Sequence, residues 1–469
     1  MEEKRKRQVR IKPVNNFALM ILLSLFQLAT GFAGANCTGA FEPKVFLSLV
    51  LLIATEWVYL IFFYTVFHRR NFELEIIAFF LSGVGLVTVG SQNTDQGFKQ
   101  YFMILAGLLV FIFLMFLLGH VDFCMKIRVI VAVGALLLLL VNLAIAKTTL
   151  GARNWISIGG ITLQPSEFVK VAFIFVGSAT LEKIQTSKNI IAFIGFSLAV
   201  VGSLIIIKDF GTALIFFVTF LIIAFMNSGD IKTIILAVAS GVMGGAIVLK
   251  YKSNIMRRFA VYRHVMEAEY YNTSGYQQSR VLVGLASGGM LGLGIGNGNV
   301  RNIGESTNDL IFGVICEEWG YLFGIALVLS FVCIAVSALV NSIASRSTFY
   351  SIASIAGAGM LLFQTALNIF GITDILPLTG VTLPSVSQGG SSMICFLHLY
   401  FLLWLLVGYP QHDLNGLFCL DYFVLISKST PAGSSRPCRA SIVLFEGLRM
   451  SMSLLCVLCS NCSRLSLKL

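Results

Sequence analysis

Gly151-Ala-Arg-Asn-Trp-Ile-Ser-Ile-Gly-Gly-Ile-Thr-Leu-Gln-Pro-Ser-Glu-Phe-Val-Lys170 sets two cations, a carboxylate and a helix-starting proline at the mouth of an apolar run. Pro165 suits the first turn of a helix, where its missing N–H is not needed. Glu167 then lies at the positive end of the helix dipole, and Lys170 lies one turn further along the same face. The sequence that follows is soluble in hydrocarbon, so charges beside it are costly unless they serve something. An ionisable group held inside a membrane bundle marks a functional site by default. The plainer reading, a helix cap with a snorkelling lysine, carries about equal weight on these residues alone.

The remainder of the 469-residue chain is built in the same way, 57% hydrophobic and only 12% charged, with 39 Phe and 8 Pro. A soluble domain of this length cannot bury that much apolar surface. It arrives in runs of about 20 residues, the length that crosses a bilayer. A transmembrane barrel would show short alternating segments, which are absent. The runs predict spans at roughly 17–36, 45–67, 73–91, 100–119, 128–147, 167–183, 189–207, 211–227, 231–250, 309–342, 349–371 and 390–409.

These twelve spans return both termini to one side. The basic segment Met1-Glu-Glu-Lys-Arg-Lys-Arg-Gln-Val-Arg-Ile-Lys12 is expected to be cytoplasmic. The short loops at His68-Arg69-Arg70, Lys126–Arg128, Lys183–Lys188 and Arg346 then also fall inside, and the long 251–308 loop falls outside. The apolar stretch after the basic start exceeds the h-region of a cleaved signal, and further spans follow it. The net charge of +11 divides between this inside bias and an exterior set, Lys250, Lys252, Arg257, Arg258, Arg263, Arg280 and Arg301. A cationic loop beside a membrane suits a phosphate-bearing lipid. No aromatic-interleaved nucleic-acid motif occurs.

Ten cysteines are scattered along the chain. Cys316, Cys333 and Cys395 read as small apolar fillers. Cys456-x-x-Cys459-x-x-Cys462 lacks the second pair and the His of a zinc ribbon, so no metal site is assigned. Glu56 sits near the middle of the second span with no evident partner. The organisation expected is residues 1–72 as a basic start with two appended spans, 73–410 as one integral domain, and 411–469 as an atypical Ser- and Cys-rich tail.

Three further stretches recur at span ends. Lys208-Asp-Phe-Gly-Thr-Ala-Leu214 reads best as a turn and helix cap through Asp209. Gly275-Tyr-Gln-Gln-Ser-Arg-Val-Leu-Val-Gly-Leu-Ala-Ser-Gly-Gly289 leads through Gly292-Leu-Gly-Ile-Gly-Asn297 to Ile303-Gly-Glu-Ser-Thr-Asn-Asp-Leu-Ile-Phe312. Its glycines permit close backbone packing or approach to a ligand. Glu305, Asp309, Glu317 and Glu318 enter the next span together and require partners, which nearby arginines can supply. Leu376-Pro-Leu-Thr-Gly-Val-Thr-Leu-Pro-Ser-Val-Ser-Gln-Gly-Gly-Ser-Ser392 prevents regular helix at what should be membrane depth. Broken backbone there is tolerated only inside protein or along a wet cavity.

Together these stretches resemble the SEDS family (shape, elongation, division and sporulation), which includes FtsW and RodA. The resemblance rests on Ala152-Arg-Asn-Trp-Ile with Gln164-Pro-Ser-Glu-Phe-Val-Lys170, Asp209-Phe-Gly-Thr212, Gly275-Tyr-Gln277, Glu305-Ser-Thr-Asn-Asp309 with Glu317-Glu318, and Leu376-Pro-Leu-Thr-Gly380 with Leu383-Pro384, in the family's order over about residues 75–410. It implies an all-α polytopic integral membrane protein: a ten-helix core, about two extra N-terminal transmembrane helices, and a large extracellular loop between core helices 7 and 8.

It implies a glycosyltransferase that polymerises peptidoglycan glycan strands from lipid II, in division, elongation or sporulation. The place is the outer face of the bacterial cytoplasmic membrane, and the partner a class B penicillin-binding protein transpeptidase. Carried over by motif match as substrate-binding are Arg153, Lys170, Glu167, Tyr276, Glu305, Asp309, Glu317, Glu318 and Ser391. The family's loop aspartate aligns with Tyr270, so the candidate catalytic carboxylates are Glu269 and Glu267 beside it. Thr307 stands where the family has His, Gly304 where it has Pro, and Asn154 where it has Arg. A divalent cation, Mg or Mn, at the diphosphate is a further expectation. Two other readings stay open, a flippase or transporter of lipid-linked precursors and a catalytically weak partner of a penicillin-binding protein. A transporter with inverted repeats should show matching broken segments in both halves; here they gather in the second half.

Overall fold

The computed structural model describes residues 15–394 except 119–120, 150–151, 159–160, 182–186, 233–234, 242, 244–252 and 345–346. Two helices lead. In α1 (Asn16–Ala35) the Asn15 side chain accepts from the N–H groups of Phe17 and Ala18, and α2 (Pro43–Val66) opens on proline. They pack on each other and on α3 (Glu73–Gln92) and α4 (Thr94–Leu118). Then come α5 (Val121–Ile145), α6 (Pro165–Leu181), α7 (Ser187–Ile207) and α8 (Phe210–Ser228), with α6 and α8 both against α14 (Thr348–Ile372). Eight described helices are long and apolar enough to cross a membrane, and Phe210–Met226 is a shorter apolar one. The chain is a multi-pass helical membrane protein.

The bundle's interior is polar at chosen points. Gln27 of α1 donates to Glu56 of α2 at 2.9 Å, which supplies the partner that the second span seemed to lack. Arg69 pairs with Glu75 at the start of α3, so this arginine is an internal tie as well as a loop charge.

Two expectations need correction. The 309–342 span is two helices, α12 (Ile311–Trp319) and α13 (Tyr321–Ala344), broken at Gly320 with φ 86°. The cause is a crossing strand of chain: Leu293 and Gly294 donate to the carbonyls of Glu317 and Glu318, and Tyr321 and Leu322 donate back to Gly289 and Met290. Those groups would otherwise continue the helical ladder. Helix α5 begins at Val121, so Lys126 and Arg128 lie within it rather than in a loop, and Arg128 donates to the carbonyl of Ala179. The otherwise helical chain also carries a small antiparallel sheet, β1 (Lys147–Thr149), β2 (Ala152–Ile158) and β3 (Ile161–Leu163). Ile158 pairs with Ile161 across Gly159-Gly160, a two-residue link between alternating residues that is a hairpin signal in its own right.

The 253–308 segment is structured: α9 (Ser253–Val261), α10 (Ala268–Tyr271) and α11 (Tyr276–Gly288) lead to a 3-10 turn at Val300–Asn302. Half of 231–250, and everything from 395 on, including most of the last expected span, Cys395, the Cys456 cluster and the 411–469 tail, lie outside the described residues.

Candidate active site

Pro377 and Pro384 exclude helix from the stretch after α14, and Gly380 (φ 71°) and Ser385 (φ 59°) turn it back. Val381, Leu383, Val386 and Ser387 are nonetheless buried, so every backbone group there needs a partner. Gln364 donates to the carbonyl of Thr382 at 2.9 Å, and Asn368, one turn on, to that of Val381 at 2.7 Å. The Ser387 hydroxyl accepts from Leu383 N–H and donates to the carbonyl of Asn308. Gln388 N–H reaches the carbonyl of Thr307 at 2.8 Å. Glycines let neighbours close in: a methyl on Gly85 of α3 would strike the carbonyl of Val386, and one on Gly211 of α8 the Val381 side chain. The broken backbone is thus buried inside protein.

Against this stretch stands the charged wall read from the sequence. Lys170, 1% exposed, donates to Glu167 at 2.7 Å and to Gln364 at 2.8 Å. Gln364 also holds Thr382, and Asn368 holds the adjacent Val381 as well as the backbone carbonyl of Asp309 at 2.7 Å, so Lys170 and Asp309 are linked through one backbone step of the broken segment. At the other end Gln164 N–H donates to the buried Ser391 hydroxyl at 3.0 Å. Asp209 caps α8 through Thr212 N–H and accepts from Asn154 and Gln164, both at 3.3 Å. The structure therefore brings Lys170, Glu167, Asp309 and Ser391 into one connected region. Arg153 lies on β2, and its side chain is outside the described residues.

Asp309 precedes α12. Burial first, and the neighbouring Glu305 second, push its carboxyl up to about 7, with Arg258 pulling the other way. Glu305 holds a left-handed φ of 67° and accepts from Asn308. From outside, α9 closes over the stretch, with Arg258 donating to the carbonyls of Leu378 and Thr379 at 2.9 and 3.1 Å. Tyr262 donates to the carbonyl of Ile375 at 2.8 Å.

The remaining candidates have other company. Glu317 accepts from Val300 N–H at 2.8 Å and Glu318 lies 3.5 Å from Arg301, so both carboxylates hold the glycine-rich loop. Tyr276, exposed, lies under the Arg280 guanidinium, which also stacks on Tyr271 and donates to its hydroxyl. Glu267, exposed, is 2.6 Å from His264; Glu269 is exposed on α10. Among the described residues no group of three or more His, Cys, Asp or Glu could hold a metal ion.

Gln364 and Asn368 were not singled out from the sequence, and Arg258 was read only as one of the loop cations. Two amides four residues apart in the apolar run of α14 were the available signal, since such a pair shares one helix face.

The profile of the family described as "Cell cycle protein", that of FtsW, RodA and SpoVE, matches residues 74–409. A "Probable peptidoglycan glycosyltransferase FtsW" of Tolumonas auensis is 30% identical over 338 residues, covering 68% of this chain and 87% of that relative. The protein of the same description in Bacillus subtilis is 30% identical over 361 residues, 70% of this chain and 88% of its own length. Among solved structures, one titled "Structural coordination of polymerization and crosslinking by a peptidoglycan synthase complex" superposes with a TM-score of 0.60 at 22% identity, covering 74% of this chain and 99% of that one. That likeness is one of fold. Helices α1 and α2 precede the matched segment.

Proposed function

The chain belongs to the SEDS family of FtsW, RodA and SpoVE, and from that premise we propose that it polymerises peptidoglycan glycan strands from lipid II at the outer face of a bacterial cytoplasmic membrane. Such a reaction must deprotonate a sugar hydroxyl and accommodate a departing lipid diphosphate. It needs a carboxylate base and fixed positive charge in a site shielded from water. The observation that carries the reading is the buried Lys170–Glu167–Gln364 cluster, joined through the Thr382–Val381 backbone step and Asn368 to Asp309. A buried lysine with a carboxylate and an amide is an expensive arrangement for packing alone. Here it backs the broken segment that Arg258 of the loop clasps.

In this reading Lys170, Glu167, Asp309 and Ser391 form the inner wall of the groove. The exterior cations Arg258, Arg263, Arg280 and Arg301, with Arg153, draw in the diphosphate. Glu267 and Glu269 lie apart from that wall, exposed on the loop. A divalent cation would come bound to the diphosphate, since the described residues offer no cage for it. The N-terminus lies in the cytoplasm, as its basic charge requires, and a class B penicillin-binding protein crosslinks the product.

The test is strand synthesis from purified lipid II by the full chain, alone and with its transpeptidase partner. Wild type should give polymer, and Lys170→Met about a hundredfold less, the scale of losing one preorganised electrostatic group. Absence of polymer from wild type even with the partner would refute the reading, as would a fully active Lys170→Met.

A further inference from the structure

Three buried oxygens beside the broken segment have no hydrogen-bond partner among the described residues: Asp309 Oδ1, Asn368 Oδ1 and Thr379 Oγ1. They belong to one place. Asn368 spends its Nδ2 on the carbonyls of Asp309 and Val381, which fixes the amide orientation and leaves Oδ1 as an acceptor. Thr379 adjoins Gly380, and Asp309 Oδ2 lies 3.6 Å from where a Cβ on Gly380 would sit. Gly380 places no side chain between its backbone and that carboxylate.

An unpaired buried polar atom is costly, so several together call for an explanation. Asn368 Oδ1 can only accept, as can Asp309 Oδ1 in the ionised form that acts as a base, and the hydroxyl of Thr379 can do either. The missing ligand must therefore bring donors. A phosphate would add acceptors where donors are lacking, whereas a sugar hydroxyl supplies the O–H that fits.

We propose that Asp309, with Asn368 and Thr379, forms the subsite for the attacking sugar hydroxyl, and that Asp309 rather than a carboxylate of the exterior loop takes its proton. This rests on the polymerase reading above. The hydroxyl oxygen bonds to the anomeric carbon of the other sugar. The bond from that carbon to the diphosphate oxygen breaks, its electron pair leaves with the lipid diphosphate, and the hydroxyl proton passes to Asp309 Oδ1.

The alternatives in the loop are poorly placed for this step. Six residues before Tyr276 of Gly-Tyr-Gln stands Tyr270 rather than a carboxylate. Glu267 and Glu269 are exposed, and Glu267 is engaged by His264. A base works best with a proton affinity near the operating pH, and burial brings Asp309 to about 7. The charges bearing on it are Glu305 from its own turn and Arg258 from α9; α14 and the broken segment present Asn368 and Thr379, both neutral.

Strand synthesis from lipid II by the full chain with its transpeptidase partner decides the matter. Asp309→Asn should lower kcat by about 10²–10⁴ with KM changed by no more than about threefold, and Glu267→Gln with Glu269→Gln should stay within about fivefold of wild type. Wild-type kcat should rise with pH through about 7, and the residual rate of Asp309→Asn should not. Asp309→Glu keeps a carboxylate and should retain more activity than Asp309→Asn, with a displaced pH profile. Near-wild-type activity of Asp309→Asn overturns the inference, as does equal activity of the Glu and Asn variants or loss of activity in the double loop variant. Melting temperature and co-purification with the partner establish that each variant is folded. An inactive wild type refutes the polymerase reading and the inference with it, whereas an active wild type with an active Asp309→Asn refutes the inference alone.

Discussion

Lys170 and Glu167 show how a buried pair is to be probed. Removing one member leaves an uncompensated charge in the bundle, at a cost of about 3–5 kcal/mol, whereas replacing both with apolar or neutral groups of similar shape is often close to neutral. Lys170→Met should therefore lower the melting temperature sharply, and Lys170→Met with Glu167→Gln should recover much of it without recovering polymerisation. Full recovery of both would make the pair scaffolding only. Asp309 carries a pH signature in stability as well. Its folded carboxyl holds a proton up to about 7, above the ordinary value of 3.8, so between those limits the native state binds more protons than the unfolded one. Its contribution to stability is then full below about 4 and is lost as pH rises through 7. Asp309→Asn should flatten that part of a melting-temperature profile across pH. The charged members of the site were legible in the sequence because ions are rare in hydrocarbon. Gln364 and Asn368 were not, since an amide in an apolar run carries no such alarm, and only the fold shows what each one holds.

The contact between α3 and the broken segment turns on Gly85. In an ordinary helix Gly→Ala gains about 0.8–1 kcal/mol. At Gly85 the new methyl would meet the carbonyl of Val386, a backbone atom with nowhere to move. Gly85→Ala should therefore destabilise by about 1–3 kcal/mol through overpacking. At Gly134 of α5 nothing lies within 4 Å, and the same change should be neutral or stabilising. Thermal melts of the two variants in detergent check the opposite signs; like behaviour would show that the packing around Gly85 yields. Helix existence was readable from apolar run length, as the ends of α1, α2, α7 and α14 bear out within a few residues. The split between α12 and α13 was not, because it is imposed by the chain of residues 289–294 crossing from elsewhere. The sheet at 147–163 was missed for a different reason: its Gly-Gly signal was present but masked by the charged motif that contains it.

Helices α1 and α2 lie before the segment matched to the family, yet they are tied to the rest at both ends. Tyr59 of α2 donates to Glu75 of α3 at 3.4 Å, Cys37 lies against Gly296 and donates to the carbonyl of Ser91, and Arg301 donates to that same carbonyl. A chain beginning at residue 73 should lose hydrogen-exchange protection chiefly across residues 288–301; unchanged protection there would show that the hairpin merely sits alongside. The matched core and the outward clustering of motifs were foreseeable from the sequence. The link between the leading helices and the glycine loop was not, since it depends on contacts between stretches more than 250 residues apart. The crossing at Gly288, Gly292 and Gly320 adds one more consequence. There main chain rests directly on main chain, with no side chains to exchange rotamers, so the junction has a single way of fitting together. An enzyme that lengthens a strand must advance its product between rounds. With this seam stationary, the travel falls to the parts joined by side chains, such as α9 clasped to residues 375–379 by Arg258 and Tyr262.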